Sequence, residues 1–137
     1  MKHATHRDGR TANRTVLIVE DADDCAAILE IALSAIRDLE VRHANSAESA
    51  LRALDREHVS VLITDVHLPL MDGFELLTSI RRHPLHSNVP ILVISGDADP
   101  ATPGRALTLG ANAFFGKPYS PAAVRQKIEE LIHANST

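Results

Sequence analysis

The sequence predicts an α/β fold in which helices cover both faces of a parallel sheet. Short apolar runs rich in β-branched residues alternate with segments of helical period, and the connections between them are short. The apolar runs are continuous rather than alternating, which is typical of strands buried on both faces of a parallel sheet. Five strands alternating with five helices leave few topologies, because crossover connections are right-handed.

The strands are predicted from these apolar runs. The three strongest are Thr15–Val19, Ser60–Thr64 and Pro90–Ile94, and two weaker ones are Leu39–His43 and Ala113–Phe115. One folded domain is therefore predicted for residues 15–134. Residues 1–14 carry four basic side chains against one acidic and are predicted to form a flexible polar tail, and 135–137 a short second one. Docking of the first tail to an acidic partner is the less favoured alternative.

Caps mark the starts of three helices. Ser46 is a predicted N-cap, Asp72 and Glu75 have the spacing of a capping box, and Ser120 stands before a proline at the first helical position. The fourth helix is expected to be short, at about residues 103–109 with Thr102 as its cap, because prolines and a glycine interrupt its first turns.

Composition narrows the classes of function. The 137 residues are 45% hydrophobic with a formal charge of −4, as expected of one domain without an electrostatic footprint for nucleic acid. The single cysteine, Cys25, has no partner for an internal disulfide, as in proteins of a reducing compartment. No stretch approaches the roughly 18 apolar residues of a membrane helix, and no signal peptide is recognisable. A soluble, cytoplasmic protein without membrane or nucleic-acid binding is expected.

Charged and polar side chains stand where four of the predicted strands end. Glu20 and Asp21 follow the first strand, Asp65 the third and Ser95 the fourth, and Lys117 comes just after the fifth. Ligands of open α/β sheets bind at the carboxyl ends of the strands. We therefore expect this edge to gather three carboxylates, a hydroxyl and an ammonium.

This set of groups suits phosphoryl chemistry. Three carboxylates in one site repel each other, so cations are needed beside them. Lys117 supplies one, and Mg²⁺ is the expected second, because it prefers oxygen ligands that include one or two carboxylates. Zinc is not expected, since thiolates are absent and His67 is the single imidazole near the set. A carboxylate beside Mg²⁺ and a lysine suits in-line attack on a phosphoryl group, which gives an aspartyl phosphate.

Four segments resemble the receiver domain of bacterial response regulators. They are Leu17-Ile18-Val19-Glu20-Asp21, the run DVHLPLMDG that begins at Asp65, then Ser95, and then Lys117-Pro118. The resemblance covers about residues 15–134. It implies the flavodoxin-like (βα)5 fold, a doubly wound parallel sheet with strand order 2-1-3-4-5.

The resemblance also implies metal and acceptor roles. Asp65 would be the phosphoacceptor and a Mg²⁺ ligand. Asp21 would bind the ion directly and Glu20 through water, and the backbone carbonyl of His67 would be a further ligand. No other cofactor is expected.

Further roles follow from the same resemblance. Lys117 would pair with the phosphoryl group, Ser95 would be the switch hydroxyl, and Phe114 would be the switch aromatic in place of the frequent tyrosine. Without a hydroxyl, that switch would be steric, and a Phe114→Ala protein that responds to phosphorylation like its parent would contradict it. His67 and Asp97 stand where family members tune the access of water to the acyl phosphate.

The implied function is a phosphorylation-dependent signalling module. A histidine kinase or histidine phosphotransfer protein would donate the phosphoryl group, and the surface of helix 4, strand 5 and helix 5 would change. No output domain follows residue 134, so a stand-alone receiver, monomer or weak homodimer, acting by protein contact is expected. It would be no enzyme beyond its own phosphorylation and dephosphorylation. The alternatives are a phosphate sink or relay, or a receiver fragment of a hybrid kinase or larger regulator.

Two other classes are weighed against this function. A pseudo-receiver scaffold without chemistry is disfavoured by the intact acidic set, and an electron-transfer flavodoxin by the acidic loop after the first strand, which would repel phosphate. The first helix, Cys25–Ile36, is apolar nearly all round and is expected to bury two faces, the second against a phosphodonor unless alanines alone make it look apolar. His83 and His86 are interpreted as solvated surface rather than a ligand pair.

Overall fold

The computed structural model describes residues 14–134 and has the predicted five-stranded parallel sheet. Its strands are β1 (Arg14–Val19), β2 (Leu39–Ala44), β3 (Val61–Asp65), β4 (Ile91–Ser95) and β5 (Ala113–Gly116). They pair in the order β2-β1-β3-β4-β5, which confirms the flavodoxin-like strand order. The predicted tails lie outside the described residues, except that Arg14 is the first residue of β1 and pairs with Leu39.

Five helices connect the strands, and three of them begin at the predicted caps. They are α1 (Asp23–Leu33), α2 (Ala47–Arg56), α3 (Gly73–Arg82), α4 (Thr102–Thr108) and α5 (Pro121–Ala134). The Ser46 and Ser120 hydroxyls accept backbone N–H groups three residues on, and Asp72 and Glu75 form both bonds of a capping box. Within residues 14–134, no helix is long and apolar enough to cross a membrane.

The start of α4 differs from the prediction. Ala101 occupies the N-cap position without a side-chain cap, so Thr102 is the first helical residue and the predicted cap was wrong. The reason is a preceding turn, in which Asp99 accepts the backbone N–H groups of Ala101 (2.9 Å) and Thr102 (3.1 Å). The Thr102 hydroxyl is thereby free to donate to Asp97 Oδ2 at 3.2 Å.

The two faces of the sheet bury separate apolar clusters, because successive strand residues point to opposite sides. On one side Val16 and Ile18 pack with residues of α1 and α5, and on the other Leu17 and Val19 pack with residues of α2, α3 and α4. All five residues of β3 and all five of β4 are buried. The continuous apolar runs in the sequence are thus strands covered on both faces.

Helix α1 buries one face against the sheet and leaves the second, which is expected to contact a phosphodonor, exposed. Ala26, Leu29 and Leu33 are buried, whereas Ile28 is 53% and Ile31 is 73% exposed. The helix also ends at Leu33, three residues before the end of the apolar segment. The exposed face therefore carries isoleucines and is not an effect of alanine content.

Candidate functional site

The carboxyl ends of the strands bring the predicted site residues to one edge of the sheet. Asp65 is the last residue of β3 and pairs with Ile94, and Ser95, one residue further along β4, pairs with Gly116. Lys117 follows directly after β5, and Glu20 directly after β1. We call this the C-terminal edge.

One ammonium group bridges two carboxylates there. Lys117 Nζ lies 2.8 Å from Asp65 Oδ2 and 3.6 Å from Glu20 Oε1, and the two acidic side chains are only 10% and 6% exposed. Burial by itself would lower the pKa of Lys117, but the hydrogen bond and the negative charge of Asp65 outweigh it and hold that pKa above its ordinary value. The lysine therefore stays charged and shared at neutral pH.

Among the acids of this edge, Glu20 has a carboxyl group whose ionisation is disfavoured by its surroundings. Burial raises the pKa of its carboxyl group, and the negative charges of Asp65 and Asp21 raise it further, while the Ala22 N–H, which donates to Glu20 Oε2 at 3.2 Å, lowers it in part. Asp21 itself is exposed. The Lys117 ammonium thus pairs with two of the three carboxylates, and a further cation would offset the remaining negative charge.

The backbone of the β3–α3 loop holds the second oxygen of Asp65. The His67 N–H donates to Asp65 Oδ1 at 3.1 Å, and the Thr64 hydroxyl donates to the Asp65 carbonyl at 2.8 Å. With Oδ2 held by the lysine, both carboxylate oxygens have a fixed direction. The orientation of the acid is therefore set by the fold.

Gly73 closes this loop and was absent from the predicted site. Its N–H donates to the Val66 carbonyl at 2.7 Å, and a Cβ at this position would lie 2.3 Å from the Asp65 carbonyl oxygen. Real Cβ atoms do not approach backbone oxygens so closely. The Asp-Gly pair inside the DVHLPLMDG run was the signal that pointed to it.

The β4–α4 loop lies beside the acid. Ser95 is buried, and its hydroxyl accepts the Asp97 N–H at 3.0 Å. The Asp99 N–H holds the pKa of Asp97 below its ordinary value, and the Thr102 hydroxyl and the His67 imidazole contribute. His67 Nε2 lies 3.6 Å from Asp97 Oδ2, so the two predicted tuning residues meet and link the loops after β3 and β4.

Phe114 lies within β5, opposite Val93, and is half-buried against the cluster that β4 and α4 share with α2 and α3. Its predicted switch role stays a prediction.

His83 and His86 differ from the expected solvated surface. Their rings stack at 4.3 Å between centroids, and the Nε2 atoms lie 3.7 and 3.3 Å from Asp55 Oδ1.

The donor set at the C-terminal edge fits Mg²⁺. It consists of the carboxylates of Glu20, Asp21 and Asp65 together with backbone carbonyls, which are the hard oxygen ligands that this ion prefers. Burial is the main cause of the raised pKa of Glu20, and the neighbouring acids Asp65 and Asp21 add to it, so a cation placed here would favour the ionised carboxylate. The residues of the chain are thus compatible with a magnesium site.

Comparison with known proteins identifies the class. The family model of the response regulator receiver domain matches residues 16–129, so the chain belongs to this family. It is 34% identical to the transcriptional regulatory protein GltR of Pseudomonas aeruginosa over 87% of this chain, and it is 29% identical to a CheY chemotaxis protein homologue of Campylobacter jejuni. The chain spans 49% of the GltR sequence and 94% of the CheY homologue.

Solved structures agree with this assignment. The receiver domain of a signal transduction histidine kinase from Syntrophus aciditrophicus superposes with a TM-score of 0.83 at 26% identity, covering 90% of this chain and 92% of that one. A response regulator receiver protein from Pseudomonas putida superposes with a TM-score of 0.76 at 27% identity, covering 91% and 99%. Related folds therefore occur both in kinases and in separate regulators.

Proposed function

We propose that the protein is a phosphoacceptor receiver in which Asp65 takes a phosphoryl group from a phosphohistidine. The observation that carries this proposal is the buried, oriented Asp65 carboxylate whose Oδ2 is held at 2.8 Å by Lys117 beside Glu20. Such an acid is fixed in direction and accompanied by a cation able to pair with incoming phosphoryl oxygens. We propose no enzymatic activity beyond the protein's own phosphorylation and dephosphorylation.

In the transfer, a carboxylate oxygen of Asp65 forms a bond to phosphorus while the phosphorus–nitrogen bond of the donor breaks. The electron pair of that bond leaves with the imidazole. Lys117 pairs with one phosphoryl oxygen, and the Ser95 hydroxyl, whose oxygen accepts the Asp97 N–H, donates its own proton to another. Glu20, Asp21, Asp65 and the His67 carbonyl would hold Mg²⁺, which when bound neutralises charge on the phosphoryl oxygens.

The acceptor is tested with acetyl phosphate and Mg²⁺, read by intact mass. We expect the parent protein to gain one phosphoryl group and Asp65→Asn to gain none. Asp38→Asn is the matched control, since Asp38 lies between α1 and β2 with a φ of 60°, a conformation that asparagine also tolerates. An unlabelled parent protein would favour the pseudo-receiver alternative, and a labelled Asp65→Asn protein would place the acceptor elsewhere.

We further propose that the exposed face of α1 receives the phosphodonor. Ile28 is exposed on this helix and lines a cavity of about 240 Å³ that also contacts Glu20, Asp65 and Lys117. An apolar partner surface placed there would bring its phosphohistidine to the acceptor. The occupants of this surface, a histidine kinase or a histidine phosphotransfer protein, are those that receiver domains use in general.

A charge on this face is expected to slow the transfer. Ile31→Glu should lower the rate of phosphotransfer from a histidine kinase that labels the parent about tenfold or more, since an interface charge without a partner costs at least ~1.4 kcal/mol. Labelling by acetyl phosphate should be unchanged. Leu85→Glu is the control, an exposed leucine on the opposite edge of the sheet. Equal slowing of both variants would contradict the docking surface.

Loss of the His67–Asp97 contact is expected to shorten the lifetime of the acyl phosphate. The contact joins the loops after β3 and β4 beside Asp65. We propose that it restricts the approach of water to the acyl phosphate. We expect the acyl phosphate of His67→Met, which keeps the bulk of the side chain but not its contact with Asp97, to hydrolyse about three- to tenfold faster, a barrier change of ~0.7–1.4 kcal/mol. The measurement is the decay of the phosphorylated mass after removal of donor. An unchanged rate would show that His67 does not tune the site.

The response to phosphorylation is proposed to lie on α4, β5 and α5. Thr102 at the start of α4 bonds to Asp97, and Phe114 of β5 packs against the same cluster as Ala106 of α4. A change at Ser95 would therefore reach α4 through one short loop. Whether this surface contacts a downstream protein, or the protein passes the phosphoryl group on as a relay or sink, is distinguished by adding candidate partners to the labelled protein.

A further inference from the structure

Two histidines and an aspartate converge at the edge of the sheet opposite to the phosphoacceptor. Asp55 lies in the last turn of α2, His83 directly follows α3, and His86 lies in the loop before β4. Within residues 14–134, these three offer ligand atoms that all lie within 4.8 Å of one another. We call them the Asp55 cluster.

The loop that carries the histidines is held in place by the half-buried guanidinium of Arg81. Arg81 donates to the carbonyls of Ser87 (3.1 Å) and Val89 (2.7 Å), and on its other side to the carbonyl of Gly110 (2.8 and 3.0 Å). Backbone bonds from His86 to His83 and from Val89 to His86 add a turn. The loop backbone is therefore held in place before any ligand arrives, and binding requires the two stacked rings to turn so that both Nε2 atoms face one point.

The distances from Asp55 Oδ1 to the two imidazole nitrogens are close to those between ligand atoms of a tetrahedral ion. A zinc ion with ligands at about 2.0–2.1 Å has neighbouring ligand atoms about 3.3 Å apart. The Nε2 atoms of His86 and His83 lie 3.3 and 3.7 Å from Asp55 Oδ1. We propose that the Asp55 cluster binds Zn²⁺ through these three atoms, with water as the fourth ligand.

The chemistry of the donors selects this ion over the magnesium expected at the C-terminal edge. Two imidazoles and one carboxylate suit Zn²⁺, whereas Mg²⁺ prefers oxygen ligands alone. The ion would link the end of α2 to the loop before β4. Its ligands Asp55 and His86 are 31 residues apart in the sequence. Through Arg81 this loop is joined to Gly110, which precedes β5.

One hydrogen bond must change when the ion binds. The Leu85 N–H donates to His83 Nδ1 at 3.1 Å, so a neutral His83 ring carries its proton on Nε2. Ligation by Nε2 moves that proton to Nδ1 and turns the Leu85 amide to water, which Leu85, 82% exposed, permits. Protonation of the imidazoles competes with the metal, so zinc affinity should fall as the pH is lowered.

The test is calorimetric titration of Zn²⁺ into the full chain with Mg²⁺ in excess. We expect one zinc site, and a loss of affinity of more than about tenfold in His86→Ala and in the conservative Asp55→Asn variant, with unchanged circular dichroism. A combined His3→Ala and His6→Ala variant is the control for the other histidine pair of the chain, and should bind as the parent does. Cobalt(II) should give the visible spectrum of a tetrahedral site.

The proposal is overturned if His86→Ala and Asp55→Asn bind zinc as the parent does, or if the His3 and His6 control loses the site. Asp65→Asn should keep full zinc affinity, because it removes a ligand only at the C-terminal edge. Loss of zinc binding in that variant would place the ion at the phosphoacceptor and also overturn the proposal. Failure of the zinc site is thus distinguishable from failure of the phosphoacceptor.

Discussion

Replacing Gly73 with alanine is expected to destabilise the protein by about 3 kcal/mol and to reduce labelling of Asp65 strongly. The added Cβ would meet the Asp65 carbonyl oxygen at 2.3 Å and the Val66 Cα at 2.8 Å. Both contacts are backbone atoms, so no side chain can rotate away to relieve them, and overpacking of this kind costs ~1–3 kcal/mol or more. Relief requires that the end of β3 moves, and the acceptor moves with it.

The measurement combines urea unfolding with acetyl phosphate labelling. Gly104→Ala is the matched control, because a Cβ there meets nothing within 4 Å and Gly104 lies inside α4. Alanine is the better helix former by about 0.5–1 kcal/mol, so this variant should be slightly more stable than the parent. Equal stability of the Gly73→Ala and parent proteins would mean that the loop relaxes without cost.

The elements that follow local rules were predictable. The positions of strands and caps depend on apolar runs, on the hydroxyl of Ser46 and on the reciprocal bonds of Asp72 and Glu75, all of which are local in the sequence. The strand order was implied by the resemblance to receiver domains. The boundaries shifted by a residue where backbone pairing continues past the apolar run, as at Asp65, which ends β3 as its last residue. The cap of α4 was wrong because Asp99, three residues before Thr102, makes the turn in its place.

Contacts between distant segments were not predictable in the same way. The acidic site was predictable because its residues directly follow or end apolar strands in the sequence, and a parallel sheet brings the carboxyl ends of its strands to one edge. The close approach of Gly73 to Asp65 depends on how the β3–α3 loop closes, and the meeting of His86 with Asp55 spans 31 residues. Nothing in the sequence of α2 or of the H-P-L-H run indicates that the two segments meet. The exposure of the isoleucines of α1 was likewise not predictable, because it depends on how the helix is oriented on the sheet.

The unfavourable burial of the Glu20 carboxyl group predicts a variant that is more stable than the parent, in contrast to Gly73→Ala. Because the folded state raises the pKa of Glu20, the folded protein binds this proton more tightly than the unfolded chain does. Stability should therefore fall as the pH rises above the ordinary value of 4.5, and the loss should be complete above the raised value. Glu20→Gln keeps the shape of the protonated acid, and Lys117 keeps its 2.8 Å partner Asp65.

At neutral pH without Mg²⁺, Glu20→Gln should be more stable than the parent by about 1–2 kcal/mol, or roughly 4–8 °C in Tm. The difference should shrink below about pH 4.5, where the parent is protonated in both states. Added Mg²⁺ should raise the Tm of the parent more than that of the variant, since the ion offsets the same repulsion. Thermal unfolding across this pH range checks both statements, with the exposed-residue variant Glu30→Gln as control. A Glu20→Gln protein less stable than its parent at neutral pH would show that Glu20 is compensated by Lys117 alone, without need of a second cation.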